Sequence, residues 1–151
     1  RLDYCNAWYA GLSANILSRL QRIQNAAARI VTQSSRRSHA SPILSDLHWL
    51  PVRARINFKL ATLTYKTLAS GKPNYLNNLL IPYIPKRQLR SAFSSKLAVP
   101  CRKSAMAQSK SFSSSAVSVW NSLPHSVTSA GDLKTFRTLL KTHLFTDRQI
   151  D

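Results

Sequence analysis

The stretch between Pro51 and Gly71 constrains the fold more than any other part of the chain. Proline is tolerated in a helix's first turn, and glycine readily adopts the left-handed conformation that ends one. The spacing therefore predicts a helix from Pro51 to about Ser70. Val52, Ile56, Leu60 and Leu63 form one apolar face of it. Arg55, Lys59 and Lys66 fall within about 40° of one another on a neighbouring face. Phe58 and Tyr65 lie on a third. A helix with apolar residues on two faces has to be covered from two sides, so the rest of the chain is expected to wrap it.

Other helices are predicted around it. Ser13 is placed to cap a helix running to about Thr32, with Ile16, Leu20, Ile23, Ala27 and Ile30 as its apolar stripe. Arg22 and Arg29 sit about 20° apart beside that stripe. The segment before it, Leu2 to Leu12, reads as the end of a helix entered partway. Ser41-Pro42 opens a short helix to about Leu50, and Pro73 another to Leu80. Phe112, Ala116, Val119, Trp120 and Leu123 have helical spacing within a serine-rich stretch. Asp132 is placed to cap a last helix whose Leu133, Phe136, Leu140 and Leu144 face inward. Lys134, Arg137, Lys141 and Arg148 share an arc of about 60° on its other side. Residues 82–104 differ: Pro82, Pro85 and Pro100 interrupt them, and Lys96 to Val99 has room for one short strand. The fold class is mostly α, divided into a helical region at 1–81, an irregular Pro-rich basic loop at 82–104 and a C-terminal helical region at 105–151.

Charge narrows the function. Lys and Arg number 22 against five Asp and no Glu, a formal net charge of +17. That is far beyond what solubility requires and creates a field that attracts polyanions. Nucleic acid, RNA or DNA, is the expected partner. No run of about 18 apolar residues exists, so no membrane partner is expected. Cys5 and Cys101 are too few for a disulfide scaffold and read as reduced intracellular thiols, with Cys5 a small core residue. The first residue is Arg1 and the only methionine is Met106, so the sequence is expected to be part of a longer chain.

Catalytic chemistry finds no support. Polymerases and nucleases need carboxylates converging on a metal ion. Asp3, Asp46, Asp132, Asp147 and Asp151 are scattered, and Asp132 is better read as a cap. The cysteines and histidines form no zinc-ligand spacing, and His48 and His143 read as packed residues. There is no nucleophile elbow or phosphate-cradling glycine loop. No cofactor, metal or catalytic residue is assigned.

The basic clusters remain. Arg22, Arg29, Arg36, Arg37, Arg55, Lys59, Lys86, Arg87, Arg90, Arg102 and Lys103 are the candidate nucleic-acid contacts, through phosphates rather than base edges. The alternative for each is a solvated face, and for the last helix the two readings balance. Phe58 and Tyr65 have the shape to stack on bases, but core packing is the expectation for both, and for Trp49 and Trp120.

Several phrases together resemble one family. They are LDYCN at 2–6, LQRIQNAAARIVT at 20–32, LHWLPVRARINFKL at 47–60, LTYKTL at 63–68, FSSSAVSVWNSLP at 112–124 and FRTLLKTHLF at 136–145. In order and spacing they resemble the region downstream of the polymerase palm in LINE-type, jockey-like non-LTR retrotransposon open reading frame two proteins. The resemblance implies a helical thumb followed by a C-terminal extension, belonging to an RNA-directed DNA polymerase. Its Tyr-Ala-Asp-Asp motif would lie upstream, in a polymerase domain that is absent here and is itself an expected partner. It further implies a nuclear location and a non-catalytic role holding template RNA or target DNA. The family's Gly-acid-Arg phrase is replaced here by Gln108, Ser109 and Lys110, and no zinc knuckle follows. The alternative is an inert fragment of a decayed retrotransposon copy. A third reading is an independent basic RNA-binding protein of ribosomal type.

Overall fold

A computed structural model describes residues 3–85, 95–100 and 111–146. Seven helices are described within these: α1 (Ala14–Val31), α2 (Ala40–Asp46), α3 (Val52–Ser70), α4 (Asn74–Asn77), α5 (Phe112–Ser122), α6 (His125–Thr128) and α7 (Leu133–Thr146). A 3₁₀ turn, Asn6–Tyr9, precedes them. The mostly α expectation is therefore met. The expected strand near Lys96 shrinks to a single antiparallel bridge between Pro82 and Leu97.

The central helix is α3, bounded where its sequence predicts. Gly71 closes it in the left-handed region, φ 65°, and donates its N–H to the Thr67 carbonyl at 2.8 Å. One side of α3 carries Val52, Ile56 and Leu60, which pack with Leu17 and Leu20 of α1 and with Ala7, Tyr9 and Ala10. The other side places Ala61 in a cluster with Leu80, Leu97, Ala116, Val117, Trp120, Val127, Phe136 and Leu140. This larger cluster joins α3, α5 and α7 across the irregular middle of the chain. Tyr65 stacks on Phe136 with ring centroids 4.3 Å apart, and its hydroxyl donates to the Ala130 carbonyl at 2.8 Å. That pair fixes α3 against α7 by apolar contact and by direction.

Side-chain amides and the indole do what a sheet would otherwise do. Asn121 donates to the Leu97 carbonyl at 2.8 Å and accepts the Leu97 N–H at 2.9 Å, acting as a surrogate strand partner. Trp120 Nε1 donates to the Ser95 carbonyl at 2.7 Å. Residues 95–100 are thereby docked on α5 with their buried backbone groups satisfied.

Three local expectations need correction. The predicted stripe of α1 faces the core only in part: Leu20 packs against α3, but Ile16, Ile23 and Ile30 are 43 %, 59 % and 77 % exposed. Instead Gln24 and Ala28 are buried. Gln24 Nε2 donates to the Leu50 carbonyl at 2.8 Å, and Gln21 Oε1 accepts the Val52 N–H at 2.9 Å. These two backbone groups flank Pro51 at the start of α3, where no helical partner exists for them. Satisfying them turns the glutamine face inward and the isoleucines outward. Residues before α1 form the 3₁₀ turn rather than the end of a longer helix, and Trp8 is 85 % exposed. Cys5 is exposed, with φ 51°, not a core residue.

Candidate nucleic-acid interface

α1 and α2 both end in a left-handed residue that is not glycine. At the end of α1, Gln33 has φ 53°, its N–H donates to Ile30, and the Ser34 N–H reaches back to Arg29 at 2.9 Å. At the end of α2, His48 has φ 53°, its N–H donates to Ser45, and the Trp49 N–H reaches back to Leu44 at 2.8 Å. Both are Schellman closures, in which the last carbonyls of the helix are satisfied by the residues just beyond it. A Cβ in this conformation costs about 1–2 kcal/mol relative to glycine. His48 offsets part of that cost, because its Nδ1 lies 2.9 Å from the Ser45 carbonyl and donates to it in the matching tautomer. The ring is thus held in place and exposed, not packed as its flanking apolar residues predict.

The α1 closure presents the first basic group. Arg29 is half-buried, and its Nε donates to the Ser38 carbonyl at 3.0 Å, tying the following loop back to the helix. Within that loop the Ser38 N–H donates to Ser35 at 3.0 Å and the Arg37 N–H to Ser35 Oγ at 3.3 Å. Arg36 and Arg37 therefore project into solvent from an ordered turn. Arg22 is exposed two helical turns before Arg29.

Arg55 has a different position from the one its type suggests. Its Nε donates to the Leu50 carbonyl at 2.8 Å, and its Nη1 donates to both carboxylate oxygens of Asp3, at 2.9 and 2.8 Å. Its guanidinium also lies 5.9 Å from the Trp49 ring centroid. It clamps the residues before α1 to the start of α3. Lys59, four residues on, is exposed. Lys86, Arg87, Arg90, Arg102 and Lys103 lie outside the described residues, as do Leu2, Cys101, Asp147, Arg148 and Asp151. Among the described residues the Arg55–Asp3 contact is the one ion pair, so the other described cations are not neutralised.

A second basic group is less legible from sequence. Lys134, Arg137 and Lys141 of α7 line an open groove of about 940 Å³ together with Phe58 and His48. Phe145 also lines it, with the Lys141 ammonium 5.8 Å from its ring centroid. Charge spacing along α7 finds the cations. Phe58 and His48 join them only because α3 packs against α7. Asp132 stays out of this groove and caps α7, where hydrogen bonds from Thr135, side chain and backbone, hold its carboxyl below the ordinary aspartate range. Its Oδ2 accepts the Thr135 N–H at 3.0 Å.

Among the described residues no group of three or more His, Cys, Asp or Glu is placed to hold a metal ion. Nor is any described helix long and apolar enough to cross a membrane. Compared with protein-family models, curated proteins and solved structures, the chain matches none.

Proposed function

We propose that this chain binds nucleic acid through its phosphates, as a non-catalytic segment of a retrotransposon RNA-directed DNA polymerase. The observation that carries the binding is the uncompensated charge. The chain has +17 overall, and one ion pair forms among its described residues. Arg22, Arg36, Arg37 and Lys59 are exposed and have no side-chain partner there, and Arg36 and Arg37 stand on an ordered turn. Cations so placed exchange solvent and counterions for phosphates at little conformational cost. The polymerase context, and the nuclear location that goes with it, rest on the phrases quoted above from the sequence. Asp3 and Asp132 support the non-catalytic part, since one is engaged by Arg55 and the other caps α7.

Fluorescence anisotropy with unrelated oligonucleotides across a salt series tests the binding. With about four to six phosphate contacts, the log–log slope for duplex DNA is expected near −4 to −5. Replacing Arg36 and Arg37 by alanine lowers that slope by up to about 2 while leaving helix content unchanged. No binding at about 50 mM salt, or a slope near zero, favours an inert remnant. Template-dependent primer extension by the isolated chain would refute the non-catalytic assignment.

A further inference from the structure

We infer that the groove between α3 and α7 is a second nucleic-acid site, selective for single strands, in which bases stack on its rings while phosphates meet the α7 cations. The inference rests on the nucleic-acid reading above and gives that reading a strand preference. Three observations carry it.

The first is charge. Lys134, Arg137 and Lys141 line the groove; among the described residues no acidic residue lines it, and none of the three cations has an ion pair or side-chain hydrogen bond. Their arc spans seven residues, about 10 Å of helix. That is the length of about three nucleotides of a stacked strand. The second is the rings. Phe58 and Phe145 are half-buried and both line the groove, Phe58 packed against the core and Phe145 beside the Lys141 ammonium. Flat apolar rings beside a row of cations are what sequence-tolerant recognition of unpaired bases requires. The third is His48. It keeps an unfavourable backbone conformation at a closure where glycine would fit without strain, and its ring is fixed by the Ser45 carbonyl on the groove wall. The threonines of this wall do not compete for the cations: Thr138, Thr142 and Thr146 donate to carbonyls one turn back on α7. An acidic peptide would satisfy the charges, but it has no bases to use the rings.

The groove also separates from the Arg36–Arg37 turn in its expected preference. A duplex keeps its bases stacked inside, so it gains from cations but not from Phe145. A single strand gains from both.

The test uses the 151-residue chain with a fluorescent oligothymidylate, a duplex of equal length and polyglutamate as competitor. The variant K134Q/R137Q/K141Q is expected to weaken oligothymidylate binding at least about tenfold and duplex binding by less than about threefold, because a duplex meets these cations without the rings and keeps its contacts at the Arg36–Arg37 turn. Phe145→Leu keeps apolar volume but removes the ring. It is expected to weaken oligothymidylate binding about fivefold or more, with the salt slope unchanged. Phe145→Trp retains binding, and its added tryptophan emission, measured against the parent chain, is quenched by oligothymidylate and not by duplex. Circular dichroism checks that each variant keeps its helix content. If the parent chain binds no oligonucleotide, the broader reading fails as well. If it binds but these variants do not alter the strand preference, the groove proposal alone is overturned. Polyglutamate displacing oligothymidylate equally well per unit charge overturns it too, since the rings then contribute nothing.

Discussion

α1 and α7 carry the same three-four apolar rhythm, and the fold uses it in opposite ways. In α7 the rhythm points inward: Phe136 and Leu140 are fully buried. In α1 its three isoleucines point outward, and the inner face is built from Leu17, Leu20, Gln21, Gln24 and Ala28, with Leu20 the member of the rhythm that turns inward. Periodicity establishes that a helix forms, because apolar residues on one side are easily tolerated there. It does not establish which side is covered. For α1 that is decided by two backbone groups beside Pro51: the Val52 N–H, which Gln21 alone satisfies, and the Leu50 carbonyl, which Gln24 shares with Arg55. Leaving a buried carbonyl unsatisfied costs about 1–3 kcal/mol. An exposed isoleucine costs little, since folded surfaces are normally more than half apolar.

The largest expected effect breaks the comparison directly. Phe136→Ala should destabilise the chain by about 3–5 kcal/mol, the usual cost of emptying a buried aromatic site. Ile23→Ala, at the equivalent place in the α1 rhythm, should change stability by less than about 0.5 kcal/mol. Urea denaturation of the two variants measures both. Equal losses would mean that the α1 stripe is covered in solution. Next in size is Gln24→Ala, expected to cost about 1 kcal/mol by removing one of the two donors to the Leu50 carbonyl, Arg55 Nε being the other. Gln24→Leu should not recover that loss, although leucine is the more apolar residue. Recovery would show that burial rather than hydrogen bonding orients α1.

The smallest effect sharpens the comparison through pH. Asp132 has a lowered carboxyl pKa in the folded chain, caused first by Thr135. Its contribution is therefore present above the unfolded value of 3.8 and is lost as pH falls through the lower folded value. Thermal unfolding should show a step in this acid range that Asp132→Ala lacks. α1 has no side-chain cap hydrogen bond at Ser13, so alanine there should leave the pH profile unchanged.

These contrasts explain which features were legible in the sequence. Pro51, Gly71 and Asp132 act through their own backbone or their nearest neighbours, and the helix limits they predict match Val52–Ser70 and the start of α7. The two-sided covering of α3 was also legible, because Phe58 and Tyr65 lie off its main stripe. The α1 orientation was not, since Gln24 meets its partner 26 residues away. The candidate interface divides similarly. Exposure of Arg22, Arg36, Arg37 and Lys59 follows from their type and setting. The engagement of Arg55 by Asp3 depends on residues 52 apart meeting in space. The groove is harder still, because no local pattern joins His48 and Phe58 to α7.

The outward isoleucines of α1 also bear on how the protein behaves in bulk solution. Ile16, Ile23 and Ile30 form a greasy ridge bordered by Arg19, Arg22 and Arg29. At low ionic strength mutual repulsion between strongly cationic molecules keeps such ridges apart. The range of that repulsion contracts from about 10 Å at 0.1 M salt to about 3 Å at 1 M. Colloidal stability should therefore fall as salt rises, and light scattering should detect clusters where dilute samples show none.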